Sequence, residues 1–574
     1  MKVNILRKRG RVFAARTLLA ASIAVLIGPS PSQAQESGIS LLPGNLFIPG
    51  NLVITRSVYT DLQNVTPGVT NLPPGCTPIS PTNPSPADPC ATAVVNSAYP
   101  YVFNNITVDP NFTLTGKIFL DQITPFGFVL SSLEVPNSTQ EGVTATSDQM
   151  VTAFASKSEL GLNLSIDGKA LTFMGYVAPV SGIDVSNSNT PEAIDPTNPI
   201  KLANYRCVAQ IDTFGNFQFT ETNAYSGDNP RNALLNDSAN VYYMAGNDGN
   251  GTLNPQPVSI ILATGAQITT PANEPEALQT PGVPTAVGSF NLRQLGDKPD
   301  RTGKDNNFHG LRDYNNVLYY TKATGSLGVN SVYFLDTTGT VCTDSNGVGL
   351  PVPGAKLPTS PLALASTDPT TIQEYGLQPY NMCILKGFPT TPNKLSSSLI
   401  YPYNLFFASP TVLYVTDEGN GAVGTTVADF YGPATPAQNP TAGLQKWIFN
   451  GTEWQLAYIL TNGLDLGVPY TVPGYPTGLN DGAGGNGFPW APATGGLRNM
   501  TGIMNFDGTA TIYAMTATVS GSGDTGADPN KLVVIIDDVS ATTLPAWESF
   551  FTLRTAGYGE VLRGVAFAPG TPGL

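Results

Sequence analysis

The chain has 574 residues, of which 41% are hydrophobic and only 12% are charged, and it contains 59 glycines and 50 prolines. This composition is too apolar for a disordered protein and too rich in turn formers for a helical one. The formal net charge of -14 argues against nucleic acid and anionic membrane surfaces as partners, since both require clustered lysine and arginine. Short runs of Val, Ile, Phe and Tyr between Gly, Asn, Asp and Pro predict an all-β protein.

The first 34 residues have the pattern of a secretory signal. Basic residues precede an apolar run from Leu18 to Ile27, which is followed by the small-residue triplet Ser32-Gln33-Ala34. The apolar run is about half the length of ~20 residues that a membrane anchor requires. We therefore predict cleavage after Ala34, a periplasmic or extracellular protein, and a mature chain without a membrane span.

Residues 308–336 contain one complete structural unit. The runs FHGLRDY and VLYYTK flank Asn315-Asn316, which predicts a tight hairpin, and SVYFLD supplies a third strand after a Gly-rich loop. The second strand of this unit recurs at 51–57, 171–176, 241–246, 412–417 and 511–516, and the third at 118–121, 209–212, 259–264, 447–450 and 533–537. A fourth strand follows in most units. Six units of this kind indicate a repeat architecture.

The two ends of the repeat array complement each other. Residues 51–57 match a second strand and lack a first strand before them, whereas VLRGVAFAPG at 561–570 matches a first strand and lacks a partner after it. Pairing of these two segments would close a ring and remove its open edges. We predict a six-bladed β-propeller, with seven blades as the alternative. It forms a single domain over 35–574, with a Pro-rich insert at about 64–105.

The turns between first and second strands are short, whereas the segments after the second strands are long and polar. In propellers such insertions collect on one face around the central channel, and binding residues concentrate on loops held by a rigid scaffold. We therefore expect the face formed by these segments to be the functional one.

Five cysteines in a secreted chain predict disulfides with one thiol left over. Cys76 and Cys90 bracket the Pro-rich insert, and Cys342 and Cys383 flank an excursion in the fourth unit. We predict these two pairings and a buried free thiol at Cys207. The spacings do not suit zinc.

Aligning the first strands on the Gly310-Leu311 step places one residue of each unit at the same level of the channel. The aligned residues are Leu160, Asn232, His309, Tyr403, Thr501 and Arg563, and Glu159, Arg231 and Arg498 lie close by in the sequence. His309 is the only histidine and is the candidate catalytic residue. The other polar residues could bind an anion or assist proton transfer. The alternative is that all of them satisfy buried strand ends and channel water.

Oxygen-bearing side chains among glycines form a second set of candidates. They are Asp248 with Asn247 and Asn250, Asp417 with Glu418 and Asn420, and Asp524 with Asp528. Oxygen ligands suit hard cations, so calcium is the candidate metal. Gly-Asn-Asp segments are also ordinary turn sequences, and none of these matches an EF-hand loop.

The fifth unit resembles the NHL repeat, in which an apolar strand and a turn precede a tyrosine-containing strand that ends in Thr-Asp before a Gly-Asn loop. The matching stretch is NLFFASPTVLYVTDEGNGAVG, followed by GLQKWIFNGTEWQLAYIL. The whole chain also resembles a group of secreted bacterial proteins that share FHGLRDYNNVLYYTK and LRTAGYGEVLRGV. The NHL-like resemblance implies a propeller. It also implies a range of functions, from binding scaffolds to calcium-dependent lactonases and a zinc lyase.

Two functional hypotheses remain open from the sequence. In the first, a monomeric secreted propeller binds a glycan or a protein through its loop-built face. In the second, the chain is an extracellular hydrolase or lyase, of the lactonase or glycan-active type, with its site around His309. The lack of a complete catalytic set favours binding.

Overall fold

Six small, mainly antiparallel sheets form a six-bladed β-propeller, as predicted. The computed structural model describes residues 47–60, 71–72, 91–92, 114–144, 148–153, 158–198, 200, 202–253, 256–271, 287, 307–323, 328–342, 347–396, 400–481, 485–522 and 526–571. These residues belong to one compact unit, Ser40–Leu574. The first strands of consecutive blades contact one another in a closed cyclic order around the axis.

The strands follow the chain except in blade 1, which combines both ends. Blade 1 contains β1 (Leu52–Val58), β4 (Thr115–Ile123), β5 (Val129–Glu134) and the C-terminal β27 (Glu560–Phe567), with β6 (Thr152–Ala153) paired to β4. Blade 2 contains β7 (Asn163–Leu164), β8 (Ala170–Tyr176), β9 (Arg206–Asp212) and β10 (Phe217–Thr222). Blade 3 contains β11 (Pro230–Asn236), β12 (Val241–Gly246) and β13 (Gln267–Thr269).

Blades 4 to 6 follow in order. Blade 4 contains β14 (Phe308–Tyr314), β15 (Val317–Lys322), β16 (Ser331–Leu335), β17 (Val348–Gly349) and β18 (Met382–Leu385). Blade 5 contains β19 (Pro402–Ser409), β20 (Val412–Asp417), β21 (Gly443–Phe449) and β22 (Trp454–Leu460). Blade 6 contains β23 (Ala493–Met504), β24 (Thr509–Val519), β25 (Lys531–Asp538) and β26 (Phe551–Thr555).

The remaining elements are short. A separate ribbon pairs β2 (Asn71–Leu72) with β3 (Ala91–Thr92) inside the predicted Pro-rich insert. The helices are α1 (Val258–Leu262), α2 (Pro369–Tyr375) and 3₁₀ turns at Asn393–Leu395, Val427–Asp429 and Gly432–Ala434. Within the described ranges, none of the helices has the length and hydropathy of a bilayer-spanning segment.

The turn between β14 and β15 shows how the sequence specifies a hairpin. Asn315 and Asn316 adopt φ values of 50° and 62°, and Tyr314 pairs directly with Val317. Two successive residues with positive φ match the twist of the flanking strands, and asparagine tolerates that conformation. The predicted hairpin is confirmed.

One predicted strand is wrong. The run at 259–264 was expected to be the third strand of its unit, but its first residues lie in α1, and β13 follows at Gln267–Thr269. Ile260, Ile261 and Leu262 are buried on this short helix. A brief apolar run has no periodicity that separates a buried helical turn from a buried strand, so the sequence pattern could not decide.

The ring closes through the two ends of the chain. β1 pairs with β27 in antiparallel register from Leu52↔Phe567 to Val58↔Glu560, which confirms the predicted closure. At this seam Arg56 Nε and Arg554 Nη1 each lie 2.7 Å from Asp121 Oδ2. Burial opposes ionisation of this carboxyl, but the two arginines lower the pKa of Asp121 to about 2. Closure therefore combines a strand ladder with charge pairing between blades 6 and 1.

A buried charged cluster joins blades 5 and 6, and we call it the junction cluster: Tyr414, Lys446, Tyr458, Asp537 and Glu548. Lys446 Nζ donates to Asp537 Oδ2 and to Tyr458 Oη, both at 2.8 Å, and to the Asp538 carbonyl at 2.7 Å. Tyr414 and Tyr458 also donate to the Asp537 carboxylate. The side chains of Lys446 and Asp537 are both 0% exposed. The cluster is internally paired, as buried charges require.

The disulfide prediction is confirmed where it falls on described residues. Cys342 and Cys383 are bonded, with their Cα atoms 5.7 Å apart. Cys207 is a buried free thiol, as predicted. The predicted partners Cys76 and Cys90 lie outside the described residues.

Candidate functional site

Five of the six first strands carry a β-bulge, near the beginning of the strand in blades 3 to 5 and near its middle in blades 6 and 1. In blade 5, Pro402 and Asn404 pair with the consecutive residues Asp417 and Thr416, which leaves Tyr403 as the extra residue. Corresponding register shifts occur in blades 3, 4, 6 and 1. The bulge residues are Arg231, His309, Tyr403, Arg498 and Arg563. Bulges re-aim side chains and are common beside active sites.

Neighbouring blades meet at these positions through the backbone carbonyl of the bulge residue. The amide of Asn232 donates to the His309 carbonyl at 2.5 Å, and that of Asn499 donates to the Arg563 carbonyl at 3.1 Å. The Thr321 hydroxyl donates to the Tyr403 carbonyl at 2.7 Å. Each bulge residue in these contacts is thus fixed by the preceding blade.

Blade 2 completes the cyclic series of contacts between blades, and its first strand, β7, does so without a bulge. Leu160, just before β7, has a φ of 60°, and its carbonyl accepts from the Thr55 hydroxyl at 2.9 Å. The backbone N–H of Gly161 donates to the Arg231 carbonyl at 3.0 Å. A side chain at Gly161 would overlap Asn232, so glycine permits this close approach. We call the six residues the axial ring: Leu160, Arg231, His309, Tyr403, Arg498 and Arg563.

The side chains of the axial ring interact with one another. The rings of His309 and Tyr403 have their centroids 4.8 Å apart. Burial raises the pKa of Tyr403, while Arg498, Arg231 and Arg563 act on it in the opposite direction. The three arginines, one each from blades 3, 6 and 1, favour ionisation of the Tyr403 hydroxyl, and the Glu418 carboxylate opposes it.

The arginines differ in their partners. Arg498 Nε pairs with Glu418 Oε2 at 3.1 Å. Arg231 instead donates to neutral oxygens, namely the Ser158 hydroxyl and the Phe308 carbonyl, both at 2.9 Å, and the Asn307 amide. A planar guanidinium can also form paired hydrogen bonds with a carboxylate.

Glu159, a predicted binding residue, is fully engaged by the protein. Its carboxylate accepts from the Thr152 hydroxyl at 2.6 Å, the Ala153 N–H at 2.8 Å, the Asn229 amide at 3.0 Å and the Tyr176 hydroxyl. Burial raises the pKa of Glu159, and these hydrogen bonds and Arg563 oppose that shift. The protein's own donors thus occupy both carboxylate oxygens of Glu159.

The axial ring lies at the end of the blades where the long segments begin. Tyr403 is adjacent to the pair Pro402↔Asp417, and Asp417 is the last residue of β20, after which the long segment from Glu418 starts. The ring residues are recessed: Arg498 is 6% exposed, Arg231 5%, Arg563 3%, and His309 and Tyr403 1% each. A ligand would approach this ring from the loop-built face.

The register corrects two positions of the alignment. In blade 6 the bulge carries Arg498, whereas Thr501 lies further along β23 and pairs with Tyr513. In blade 3 the bulge carries Arg231, and Asn232 is the residue after it. The alignment assumed regular strands, and it missed the bulge residue in blade 3 and in blade 6, where β23 has two register shifts. A pattern of a basic or aromatic residue followed by Asn or Gly, as in Arg498-Asn499 and His309-Gly310, would have found all five bulges.

The carboxylates proposed for calcium have protein partners. Asp417 accepts from the N–H groups of Tyr401 and Gly419, both at 2.8 Å, and from the Gln445 amide at 2.9 Å. Burial raises the pKa of Asp417 to about 7. Asp248 accepts from the Thr264 hydroxyl at 2.8 Å.

The other calcium candidates are Glu418 and Asp524. Glu418 pairs with Arg498, and Asp524 lies outside the described residues. In the part of the chain that the structure describes, the group of three potential ligands is Asp336, Cys342 and Cys383, and its two cysteines are bonded to each other. Calcium remains a prediction.

Comparison with protein-family models and with curated proteins found no match. Among solved structures, the chain is similar to a polysaccharide lyase described as an ulvan lyase, with 11% identity, 80% of this chain and 91% of that chain covered, and a TM-score of 0.27. It is also similar to Drosophila semaphorin 1a extracellular domains 1–2, with 10% identity, coverage of 74% and 83%, and a TM-score of 0.25.

A third similar structure is an apocarotenoid oxygenase from Synechocystis, with 9% identity, coverage of 94% and 97%, and a TM-score of 0.22. At these identities and TM-scores none of the three indicates what this chain binds. Any functional assignment therefore depends on the axial ring itself.

Proposed function

We propose that this protein is a secreted binding propeller that takes the carboxylate of an acidic glycan at its axial ring. The observation that carries the proposal is the presence of arginine at three of the five bulges of the axial ring. The planar guanidinium forms paired hydrogen bonds with carboxylates, and bulges are positions where a strand presents a side chain to a site.

The recessed position of the ring favours a glycan over a protein surface. All five bulge residues are less than 10% exposed, so a broad protein surface would meet the loops before it reached them. A single sugar unit at the end of a chain is narrow enough to insert a carboxylate between loops. The guanidinium of Arg231, which is held by neutral oxygens of the protein, supplies donors for that group.

Two observations support secretion. The N-terminal segment has a basic stretch, an apolar run and a small-residue cleavage triplet. The Cys342–Cys383 disulfide suits an oxidising compartment. We propose that the binding domain works outside the cytoplasm as a monomer.

The test compares ligands that differ only in charge. The full secreted chain is titrated calorimetrically with galacturonate, glucuronate and mannuronate trimers and with their methyl esters. At least one acidic trimer should bind about tenfold or more tightly than its ester, because esterification removes the charge that the arginines recognise. Equal binding of acid and ester, or no binding of any acidic trimer, would contradict the proposal.

A further inference from the structure

We propose that Lys446 and Asp537 of the junction cluster become covalently joined: the Nζ amine forms an amide bond with the Asp537 side-chain carboxyl, and one water molecule leaves. The two residues are 91 positions apart in the sequence, and the bond links blade 5 to blade 6. This modification concerns the protein itself and is independent of the proposed binding of an acidic glycan.

The two reacting groups are already in contact. Lys446 Nζ lies 2.8 Å from Asp537 Oδ2, and both side chains are 0% exposed. Lys446 lies on β21 and Asp537 on β25, each within a four-stranded sheet that fixes its position. Holding two reactants in contact converts a bimolecular step into an effectively unimolecular one. Because both reactants belong to the chain, no ligand has to enter the buried cluster.

Two tyrosine hydroxyls orient the carboxyl of Asp537. Tyr458 Oη donates to Oδ1 at 2.7 Å, and Tyr414 Oη donates to Oδ2. When an amine attacks a carboxyl carbon, negative charge develops on the oxygen that stays, and a hydrogen-bond donor aimed at that oxygen stabilises it. Tyr458 supplies this donor at Oδ1, so Oδ2, which faces the lysine, is the oxygen that leaves.

Glu548 is placed to donate the proton that the leaving oxygen requires. Its Oε1 accepts from the Asp538 N–H at 3.0 Å, whereas Oε2 is buried and has no hydrogen-bond partner among the described residues. A proton on Oε2 would make this oxygen a donor to the neighbouring Asp537 carboxylate. Burial together with Asp537 raises the pKa of Glu548 to about 8, which keeps that proton bound at neutral pH.

The reaction balances without another reactant. A proton passes from the Lys446 ammonium to Asp537 Oδ2, which yields a neutral amine and a neutral carboxylic acid. The Nζ lone pair then forms a bond to Cγ of Asp537, and the Cγ–Oδ2 bond breaks with its electron pair on oxygen. Glu548 donates a proton to this oxygen, which leaves as water, and afterwards takes up the proton that the nitrogen releases.

Burial favours the amide over the ion pair. Two charges removed from water lose their hydration, and a neutral group in their place removes that cost. Both side chains are 0% exposed, so bulk water cannot readily reach the amide to hydrolyse it. Before the bond forms, Lys446 and Asp537 are the buried ion pair described above, and a variant without Lys446 lacks the charge and the amine together.

Mass spectrometry of the full secreted chain tests the bond. The chain is unfolded and reduced, and its mass is compared with that of Lys446→Arg, which keeps the positive charge but does not release an amine. Beyond the difference between lysine and arginine, the wild type should be lighter by one water molecule. A tryptic digest should contain a branched peptide with both Lys446 and Asp537, because trypsin does not cleave after an acylated lysine.

The variant Glu548→Gln tests the assigned proton donor, because glutamine has no carboxyl proton to transfer. Bond formation should be slower by about a hundredfold or more, the usual contribution of a general acid. Chains collected soon after synthesis should therefore keep the mass of the unreacted pair in the variant and show the loss of water in the wild type. Melting curves confirm that the variant is folded.

The wild-type digest decides the proposal without any variant. A wild-type chain with the full mass, and with Lys446 and Asp537 on separate linear peptides, overturns the amide bond. Bond formation at the wild-type rate in folded Glu548→Gln overturns the role of Glu548. None of these results depends on whether an acidic glycan binds at the axial ring.

Discussion

The axial ring and the junction cluster contain the same types of buried residue, and the strands present them in different ways. In the junction cluster, Tyr414 pairs with Lys446 and Lys446 with Tyr458 in antiparallel register, and a register shift lies directly beside this pair, between Lys446 and Trp447. The charged groups of Lys446 and Asp537 there are hydrogen-bonded directly to each other. In the axial ring, arginines occupy bulges, and Arg231 is held by neutral oxygens. The difference indicates that residues paired across a ladder hold charges for stability and that residues inserted at a bulge present charges to a ligand.

The largest expected effect is on stability, in the junction cluster. Lys446→Met should destabilise the protein by about 3–5 kcal/mol, because it leaves the Asp537 carboxylate buried without its cation. Chemical denaturation at neutral pH measures this difference. The double variant Lys446→Met, Asp537→Leu should lose less stability than the single one, since no uncompensated charge remains. If Lys446→Met were as stable as the wild type, the stabilising role assigned to the junction cluster would be wrong.

A smaller effect concerns pH. Glu548, 3% exposed, accepts from the Asp538 N–H at 3.0 Å, and burial together with the neighbouring Asp537 raises the pKa of Glu548 to about 8. The folded state therefore holds this proton more tightly than the unfolded state does. The resulting stability is complete at low pH and is lost as the pH rises toward about 8.

The variant Glu548→Gln isolates this contribution, because glutamine stays neutral. Chemical denaturation of both proteins should show that the wild type loses free energy of unfolding relative to the variant as the pH rises from about 5 to about 8. Parallel pH profiles for the two proteins would show that Glu548 does not titrate in this range.

Several features of the fold were predictable because local chemistry dictates them. Asn315-Asn316 specifies its hairpin, the unpaired runs at the two ends specify ring closure, and the two cysteines of blade 4 specify their bond. The bulges were not predicted, because one extra residue leaves the alternation of a short strand nearly unchanged. The alignment therefore named Thr501 where the structure has Arg498.

The junction cluster was missed for a different reason. Lys446 and Asp537 are 91 residues apart in the sequence and meet only because blades 5 and 6 are neighbours. Nothing in the local sequence of either residue marks it as buried. In the candidate site, the positions of His309, Tyr403 and Arg563 follow from the repeat, and the structure adds the bulges that carry Arg231 and Arg498. The functional roles of these residues stay predictions.

The most direct test of the central claim is the dissociation constant of the acidic trimer for Arg231→Gln beside that for Lys446→Met, at a temperature where both are folded. Each variant removes one buried positive charge. We predict that Arg231→Gln weakens binding about tenfold or more, as the loss of a charge-assisted hydrogen bond requires, and that Lys446→Met changes it by less than about twofold. Equal affinities for the two variants would contradict the assignment of the axial ring as the binding site.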